Sequence, residues 1–324
     1  MILTLTLNPA IDLTYSLPAL TPGASHRVSE PLQRAGGKGV NVARVLVEQG
    51  HRSMVMAPVG GPTGAQFRDD LHDSGLPHRL IDVAAPTRRT VTLVTEEHAT
   101  ALNEAGTAPS ATELEDVLAA LATELGRASV LVCSGSLPAG SPADLIARIV
   151  ALARDAGVPV IVDTSGPPLL AAADAGADVL KPNQDELAQV AGSTADAAPA
   201  DADPLDAALP AARTLATRSG GLVFASLGAA GMVALGTSGP AWHARLPEPL
   251  RGNPTGAGDA AVAAISLALS RHGRDLLTAG GDPLRDALRS ATAWSAAAVL
   301  TPNAGSIADP APLLDQVIVT QVLP

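Results

Sequence analysis

Short apolar runs alternate with helix-forming stretches along most of this chain of 324 residues. Strand-like runs cover Ile2–Leu7, Ser53–Pro58, Thr90–Thr95, Val130–Ser134, Val158–Asp163, Asp178–Lys181, Leu222–Ser226 and Met232–Leu235. Helical stretches cover Val40–Gln49, Ala65–Ser74, Thr112–Leu125, Pro142–Ala156, Gln184–Ala191, Leu205–Arg218, Asp259–Arg271 and Pro283–Leu300. This alternation is typical of a doubly wound α/β fold, in which helices cover both faces of a mostly parallel sheet. The length suits one such unit, and we predict a single domain over residues 1–324.

Two segments, Leu13–Glu30 and Arg88–Asn103, depart from this rhythm because polar and apolar residues alternate in them. Such alternation predicts half-exposed strands. We expect them to form a small β lid over the carboxyl-terminal edge of the main sheet, where folds of this class bind ligands. Exposed strand edges on a lid would favour a homodimer. The tract Ala191–Ala208 is rich in Ala, Asp and Pro and predicts a surface loop that runs into a helix.

Composition excludes several classes of partner. The net charge of −11 and the aromatic content of 2% argue against nucleic acid, whose backbone is anionic and whose bases need stacking surfaces. The same charge argues against anionic membranes, and no apolar run reaches spanning length. With Cys133 as the single cysteine, a disulfide framework or a cysteine-rich metal site is excluded. Because Met1–Leu7 runs straight into a strand pattern, we expect no leader and a cytoplasmic protein.

The segment Gly256-Ala257-Gly258-Asp259 stands directly before a helical run. Glycines can aim consecutive N–H groups at a ligand, and a helix start adds unpaired N–H groups and positive dipole charge. This pattern predicts an anion site with the Asp259 carboxylate beside it as a base. One alternative is an ordinary helix start in which Asp259 only complements the dipole. Another is a dinucleotide fingerprint, which fails because Leu246–Pro249 precedes the turn where a strand is required.

A second glycine-rich turn, Gly36-Gly37-Lys38-Gly39, also stands before a helix. It is not a Walker A loop, because Leu32 and Gly39 occupy the positions that require Gly and Ser or Thr. The turn still offers N–H groups and one ammonium to an anion, and Asn41 can bind a hydroxyl; the alternative is a tight turn with a solvated lysine. The chain has 21 basic residues, of which only Lys38 and Lys181 are lysine, so we interpret both as special positions.

Further polar residues follow predicted strands. Asp12 comes shortly after the first strand and could accept two sugar hydroxyls or simply occupy a turn. Arg88 begins a lid strand, where a guanidinium can hold a phosphate or lie exposed at an edge. Ser134–Pro138 lacks the G-x-S-x-G frame of a hydrolase, so a serine nucleophile is not expected.

Two strand-to-helix or strand-to-strand turns suit a nucleotide. Lys181–Glu186 brings an amide and a carboxylate together, which suits hydrated magnesium beside phosphates, although an acidic first helical turn is a strong competing interpretation. Ser226–Gly231 is a glycine-rich turn that could pass beneath a nucleotide, and on its own it is a weak indication.

Taken in order, these segments resemble the PfkB branch of the ribokinase-like carbohydrate kinases almost from end to end. The matching motifs are Asn8-Pro9-x-x-Asp12, Gly36-Gly37-Lys38-Gly39-x-Asn41, Ser134-Gly135-Ser136-Leu137-Pro138, Lys181-Pro182-Asn183-x-x-Glu186, Ser226-Leu227-Gly228-x-x-Gly231 and Gly256-Ala257-Gly258-Asp259. The opening, the Thr87-Arg88 pair and Leu102–Gly106 look most like the subgroup of 1-phosphofructokinases and tagatose-6-phosphate kinases. The resemblance implies a ribokinase-like, three-layer fold with a β lid.

The resemblance also implies a role for each motif. Asp259 would be the base that takes a proton from a sugar hydroxyl as that hydroxyl attacks the γ-phosphate of ATP. The other implied roles are an anion hole from Gly256, Ala257 and Gly258; sugar binding by Asp12, Gly37, Asn41 and Ser136; binding of the sugar's existing phosphate by Lys38 and Arg88 with Arg27 as helper; nucleotide binding by Asn183, Ser226, Gly228 and Gly231; and Mg²⁺ held by Glu186 through water.

The expected activity is therefore ATP- and Mg²⁺-dependent phosphorylation of a ketohexose phosphate. Fructose 1-phosphate is the first expectation, and tagatose 6-phosphate and fructose 6-phosphate are alternatives. Thr90 and Thr92 stand where the subgroup often has Asn and Lys, and Ala101 replaces a charged residue, so substrate identity stays open. Alternatives of another class are a non-catalytic sugar-phosphate sensor, which would not need the Asp259 base, and a nicotinamide-dependent dehydrogenase.

Overall fold

The structure is a computed structural model that describes residues 1–95, 98–192, 203–278, 281–301 and 303–322. The strands are β1 (Ile2–Leu5), β2 (Ala10–Ser16), β3 (Leu32–Gly36), β4 (Ser53–Val59), β5 (His78–Asp82), β6 (Arg88–Val94), β7 (Ala99–Asn103), β8 (Val130–Ser134), β9 (Val160–Asp163), β10 (Val179–Leu180), β11 (Leu222–Ser226), β12 (Met232–Leu235), β13 (Ala241–Arg245) and β14 (Ile318–Val322). The helices are α1 (Lys38–Glu48), α2 (Gly61–Asp73), α3 (Ala111–Leu125), α4 (Leu145–Asp155), α5 (Pro167–Asp174), α6 (Gln184–Gly192), α7 (Pro204–Ser219), α8 (Ala257–His272), α9 (Asp275–Thr278), α10 (Asp282–Val299) and α11 (Ala311–Leu314).

Within these ranges, ten strands form one large sheet in the order β14-β13-β12-β11-β10-β9-β8-β1-β4-β5. All pairs from β5 across to β11 are parallel, and β12, β13 and β14 continue the sheet with antiparallel pairs. Parallel strands put their carboxyl ends on one edge, so the residues that end β8, β9 and β10 meet there. The mostly parallel, doubly wound sheet is confirmed.

Helices cover both faces of the large sheet and bury its alternating side chains. In β8, Leu131 and Cys133 pack under α3, α4, α5 and α7, whereas Val130 and Val132 pack under α1, α8 and α10. Both clusters are built almost wholly from aliphatic residues, as the low aromatic content predicts. Strands buried on both faces are typical of parallel sheets. The three-layer arrangement is therefore confirmed.

Four strands form a separate small sheet in the order β3-β2-β6-β7. β2 pairs parallel with β6, and the two outer pairs are antiparallel. In the chain, β2 and β3 are inserted between β1 and α1, and β6 and β7 between β5 and α3. The chain therefore leaves the main fold for the small sheet twice. The first insertion runs from the end of β1 to the start of α1, and the second runs from the end of β5 to the start of α3.

The small sheet differs in its bounds from the sequence prediction. The first predicted segment is a strand only as far as Ser16, and its partner is β3 (Leu32–Gly36) rather than residues within 17–30. Pro18, Pro22 and Pro31 lie in the intervening stretch, and prolines cannot donate to a strand ladder. The small and polar residues of β3 carry no strand pattern of their own, so only pairing with β2 makes them a strand.

Other boundaries also shift. β1 ends at Leu5 instead of Leu7, and α8 begins at Ala257 instead of Asp259. Strands β5, β13 and β14 and helix α5 carry too weak a periodicity to be predicted, and they form because the sheet and its helices offer partners. Of the predicted surface loop Ala191–Ala208, residues 193–202 lie outside the described residues, and α7 begins at Pro204. No helix in the described part of the chain combines the length and apolarity needed to cross a bilayer.

Leu131 in the central strand β8 is fully buried, so Leu131→Ala should lower the free energy of unfolding by about 2–5 kcal/mol. Leu300, which is 50% exposed at the end of α10, is the matched control, and Leu300→Ala should change stability by about 0.5 kcal/mol or less. Urea denaturation followed by circular dichroism measures both. Equal losses for the two variants would contradict the assignment of β8 to the core.

Candidate active site

A cavity of about 1050 Å³ opens at the carboxyl-terminal edge of the large sheet, beside the small sheet. Most residues singled out in the sequence line it: Asp12, Gly37, Lys38, Asn41, Arg88, Asn183, Ser226, Gly228, Gly231, Gly256, Ala257, Gly258 and Asp259. Ser136, Glu186 and Arg27 are not among the lining residues. Asp163, Asp185 and Asn103 do line the cavity, although sequence reasoning missed them.

The turn before α8 requires glycine at Gly256. Its φ of 86° lies in the left-handed region, and a Cβ there would come within 2.9 Å of the Ala304 Cα. The turn lets α8 start at Ala257 with its first N–H groups at the cavity. One of them, the Ala257 N–H, donates to the Pro254 carbonyl over 3.2 Å. The feature that the sequence predicted as an anion site is thus a helix N-terminus open to the cavity.

Asp259 follows in the first turn of α8 and is only 6% exposed. Asn41 Nδ2 on α1 donates to Asp259 Oδ2 over 2.8 Å. The pKa of Asp259 is raised to about 7, chiefly by burial and also by the Asp163 carboxylate, while Lys38, the Asn41 hydrogen bond and Lys181 oppose the rise. A carboxylate with such a pKa can accept a proton near neutral pH and hold it.

Asp163 ends β9 and binds both lysines of the chain. Its Oδ1 lies 3.3 Å from Lys38 Nζ and 3.4 Å from Lys181 Nζ, and Ser134 Oγ at the end of β8 donates to its Oδ2 over 2.9 Å. Burial by itself would raise the pKa of Asp163, but the two ammonium groups and the hydroxyl hold it below its usual range. The sequence signal was present, since Asp163 is the last residue of a predicted strand.

The other end of the cavity is formed by the small sheet. Asp12 lies within β2, not in a turn, and pairs across the sheet with Thr90 and Arg34. A Cβ on Gly36 would overlap the Asp12 carboxylate, so glycine there makes room for it. Burial raises the pKa of Asp12 to about 6, and the Arg88 charge and the Thr90 hydrogen bond limit the rise.

Arg88 is held in place by backbone carbonyls. Its Nε donates to Asn8 O over 3.2 Å, and its Nη1 donates to Glu104 O over 3.1 Å and to Thr90 Oγ1 over 3.3 Å. Its Nη2 has no partner among the described residues and can serve a ligand. Asn8 Nδ2 in turn donates to Ser136 Oγ over 3.1 Å, so Ser136 lies near Arg88 although it does not line the cavity.

Asn183 and Glu186 form two reciprocal hydrogen bonds at the start of α6. The Glu186 N–H donates to Asn183 Oδ1, and the Asn183 N–H donates to Glu186 Oε2, each over 2.8 Å. This is a capping arrangement, which the acidic-first-turn interpretation anticipated. Glu186 is 6% exposed, and its neighbour Asp185 is the carboxylate that lines the cavity.

The described residues contain no cluster of three or more potential metal-binding side chains among His, Cys, Asp and Glu. Mg²⁺ at nucleotide sites is held mainly by phosphates and water with one or two carboxylates, so Asp185 and Glu186 beside the cavity fit that chemistry.

The turn after β11 is a short 3₁₀ segment, Gly228–Ala230, that leads into β12. A Cβ on Gly231 would overlap the Ala244 carbonyl of β13, which explains this glycine by strand packing. Opposite the turn, the cavity wall is apolar, with Leu246, Leu250 and Val299 among its residues. The cavity thus has a polar, charged middle and one apolar end.

The raised pKa of Asp259 has a consequence for stability. Between the ordinary value of 3.8 and about 7, the unfolded chain has released this proton while the folded protein keeps it, so stability falls as pH rises through that window. Asp259→Asn removes this titration. The variant should therefore gain on the wild type by up to about 4 kcal/mol between pH 4 and pH 8.

Urea denaturation at both pH values measures this gain. Asp286→Asn, at an exposed position on α10, is the control and should track the wild type at both pH values. A stability difference for Asp259→Asn that does not change with pH would contradict the raised pKa.

The chain is similar to known proteins both in sequence and in fold. The chain matches the profile described as pfkB family carbohydrate kinase over residues 3–311. It is 38% identical over 303 residues to 1-phosphofructokinase of Rhodobacter capsulatus, covering 92% of this chain and 90% of that protein. It is 36% identical over 306 residues to ATP-dependent 6-phosphofructokinase isozyme 2 of Mycobacterium tuberculosis, covering 93% and 85%.

Among solved structures, phosphofructokinase-2 from Escherichia coli in complex with fructose-6-phosphate superposes with a TM-score of 0.82 at 27% identity, covering 97% of each chain. Arabidopsis thaliana ribokinase complexed with ribose and ATP shares the fold, with a TM-score of 0.70 at 19% identity over 97% of each chain. The ribokinase-like fold predicted from the motifs is thereby confirmed, and the chain belongs to the pfkB family of carbohydrate kinases.

Proposed function

We propose that this protein transfers the γ-phosphoryl group of ATP to a free hydroxyl of a ketohexose phosphate, with fructose 1-phosphate as the first expected acceptor. The observation that carries the proposal is the placement of Asp259. A buried carboxylate whose pKa is raised to about 7 stands beside a helix N-terminus, in a cavity large enough for two ligands. A base next to an anion site is what phosphoryl transfer to a hydroxyl requires.

In this proposal Asp259 accepts the proton of the attacking sugar hydroxyl. The bond from that oxygen to the γ-phosphorus forms while the bond from phosphorus to the β–γ bridging oxygen breaks, and ADP leaves. The N–H groups of Gly256 and Gly258 stabilise the charge on the transferring group, at about 3–4 kcal/mol for one good donor in other enzymes, and the Ala257 N–H joins them once it leaves the Pro254 carbonyl. Asn41 holds the Asp259 carboxylate in a fixed orientation through its 2.8 Å bond.

The acceptor lies between Asp259 and the small sheet. Asp12 and Asn41 bind its hydroxyls, with Gly37 lining the same cavity and Ser136 a further candidate near Arg88. Arg88 holds the phosphate that the sugar already carries, because its Nη2 is available and its other donors are fixed to Asn8 and Glu104 carbonyls. Arg27 is exposed in the stretch between β2 and β3 and does not line the cavity, so nothing supports the helper role expected for it.

The nucleotide occupies the other end of the cavity. Asn183, Ser226, Gly228 and Gly231 line it on one side, and the apolar wall at Leu246 and Val299 suits a purine ring. Mg²⁺, held by Asp185 and Glu186 through water, would neutralise phosphate charge when bound. The protein residues supply binding, orientation and the base.

The two named relatives support the substrate class more than the exact sugar. One is a 1-phosphofructokinase and the other a 6-phosphofructokinase isozyme, so both names concern fructose monophosphates. Fructose 1-phosphate would present its 6-hydroxyl to Asp259, and fructose 6-phosphate its 1-hydroxyl. The neutral residues Thr90 and Asn103 beside Arg88 leave either phosphate acceptable, and tagatose 6-phosphate stays an alternative.

A non-catalytic sensor is the weaker proposal. Burying Asp259 and raising its pKa lowers the stability of the folded protein as pH rises from 3.8 to about 7, and a protein that only binds its ligand gains nothing from that cost. We also propose that two copies associate through the small sheet. β3 and β7 are its edges, and Leu32 and Leu102 are 52% and 57% exposed there.

Asp259→Asn should lower kcat by at least about 10³-fold, because the variant cannot accept the hydroxyl proton. Its affinity for the sugar phosphate, measured by titration calorimetry, should stay within about threefold of the wild type, since the amide keeps the shape of the side chain. Coupled ADP release measures turnover, and Asp286→Asn is again the control. Turnover like that of the wild type in Asp259→Asn would rule out the base assignment.

Arg88→Met should raise the KM for the phosphorylated sugar about 10- to 100-fold, in line with the loss of a charge-assisted hydrogen bond. Arg89, adjacent on β6 and exposed, is the matched control, and Arg89→Met should have no effect. ADP release is measured with fructose 1-phosphate, fructose 6-phosphate, tagatose 6-phosphate and fructose. Equal use of fructose and its phosphates by the wild type would overturn the proposed acceptor class.

A further inference from the structure

The ammonium of Lys38 lies in the same cavity as the Asp259 carboxylate, close enough for each charge to shift the pKa of the other. Its Nζ is 3.3 Å from Asp163 Oδ1, and Asp163 also binds Lys181 at 3.4 Å. Lys181 Nζ in turn lies 3.4 Å from where a Cβ on Gly258 would stand, directly against the first turn of α8. Lys38, Asp163, Lys181 and Gly258 thus form one continuous group beside Asp259.

The electrostatic neighbours of Lys38 and Arg88 separate the two cations. The pKa of Lys38 is raised chiefly by Asp163, and also by Asp259 and Glu186. The carboxylates that act on Arg88 are Asp12 and Glu104. No acidic group belongs to both sets. Arg88 is also held by the Asn8 and Glu104 carbonyls beside the small sheet, whereas Lys38 is held by Asp163 at the end of β9, so the two cations are fixed to different elements of the fold.

The ion pairs around Asp163 leave one positive charge without a matching negative charge, and this positive charge faces the cavity. Two ammonium groups share one carboxylate that is 1% exposed, so the group carries one net positive charge. Both lysines line the cavity, but the Lys181 side chain is only 4% exposed, whereas the Lys38 side chain is 41% exposed. Lys38 is thus the member of the group that a ligand can reach.

We propose that Lys38 contacts the transferring phosphoryl group rather than the phosphate that the sugar already carries, and that Asp163 is the positioning residue that holds it there. The inference rests on the proposed phosphoryl transfer. As the sugar proton moves to Asp259, negative charge spreads over the oxygens of the transferring group, and the Lys38 ammonium stabilises that charge while keeping its own protons.

The scarcity of lysine agrees with this role. Nineteen of the 21 basic residues are arginine, and both lysines are in this group. An ammonium is a compact point charge, whereas a guanidinium is a wide planar fork. Lys38 is also close to the backbone of the next turn, because a Cβ on Gly135 would lie 3.9 Å from the Lys38 Cβ. A planar guanidinium at this position would present its donors to Asp163 and to a phosphoryl oxygen in a different geometry.

The test compares Lys38→Met with Arg88→Met in steady-state kinetics and in calorimetric titration of fructose 1-phosphate without nucleotide. Lys38→Met should lower kcat by about 10²- to 10³-fold and leave the Kd of the sugar phosphate within about threefold. Arg88→Met should raise that Kd at least tenfold and leave kcat within about threefold. Lys38→Arg should recover less than a tenth of the wild-type kcat, and Arg89→Met is the control.

Asp163 is tested by coupling, because Asp163→Asn alone could act through folding. If Asp163 works through Lys38, Asp163→Asn should lower kcat in the wild-type background and have little further effect in Lys38→Met. Thermal unfolding of each variant shows whether it is folded at the assay temperature. Full additivity of the two kcat losses in folded variants would overturn the positioning role.

Two other outcomes would overturn the inference. An unchanged kcat in Lys38→Met, or a loss of sugar-phosphate affinity equal to that of Arg88→Met, would show that Lys38 does not act on the transferring group. Either result leaves the proposed function intact, because wild-type turnover is measured in the same series. Absence of wild-type ADP release with every ketohexose phosphate would overturn the proposed function and this inference with it.

Discussion

The candidate site depends on the parallel alignment of β8, β9 and β10, because parallel strands end on the same edge of a sheet. Ser134 and Asp163 close β8 and β9, and Lys181 directly follows β10, so a hydroxyl, a carboxylate and an ammonium come within hydrogen-bonding distance although they are far apart in the chain. The first turn of α8 then lies against Lys181 through Gly258, which has no side chain to keep the two apart. Sheet direction therefore decides where the charge is, and helix α8 supplies the N–H groups and the base beside it.

Burial changes the pKa values of this group of charged residues and also lowers the stability of the folded protein. Asp163 stays ionised because two ammonium groups and a hydroxyl surround it, whereas Asp259 has a pKa of about 7 because the same burial is less fully offset. Two carboxylates on adjacent elements thus hold different protonation states near neutral pH, one suited to fixing cations and the other to accepting a proton. The raised pKa of Asp259 makes the folded state less stable, as is common where a functional site needs a residue with a shifted pKa.

Much of the fold and most of the cavity lining could be predicted from local patterns. The strand and helix alternation indicated the layers, and glycine turns before α1 and α8 indicated Gly37, Asn41 and Asp259. Asp163 was missed because its place at the end of a predicted strand did not distinguish it from other strand-end residues, and its two lysines meet it only in the folded protein. β3 was missed because a strand of small and polar residues forms only when β2 is there to pair with it. The acidic start of α6 was open to two interpretations, and the reciprocal bonds of Asn183 and Glu186 show the capping geometry.

By itself the sequence determined the doubly wound class, the aliphatic core, the presence of glycine turns at helix starts and the family to which the motifs point. These follow from periodicity, composition and short motifs, all of which act over a few neighbouring residues. Only the tertiary structure decided that both lysines share Asp163, that Lys38 and Arg88 face different acidic groups, and that Asp259 is buried enough to have a raised pKa. The physical reason is that burial and ion pairing depend on residues distant in the chain, and those distances exist only after the sheet has assembled.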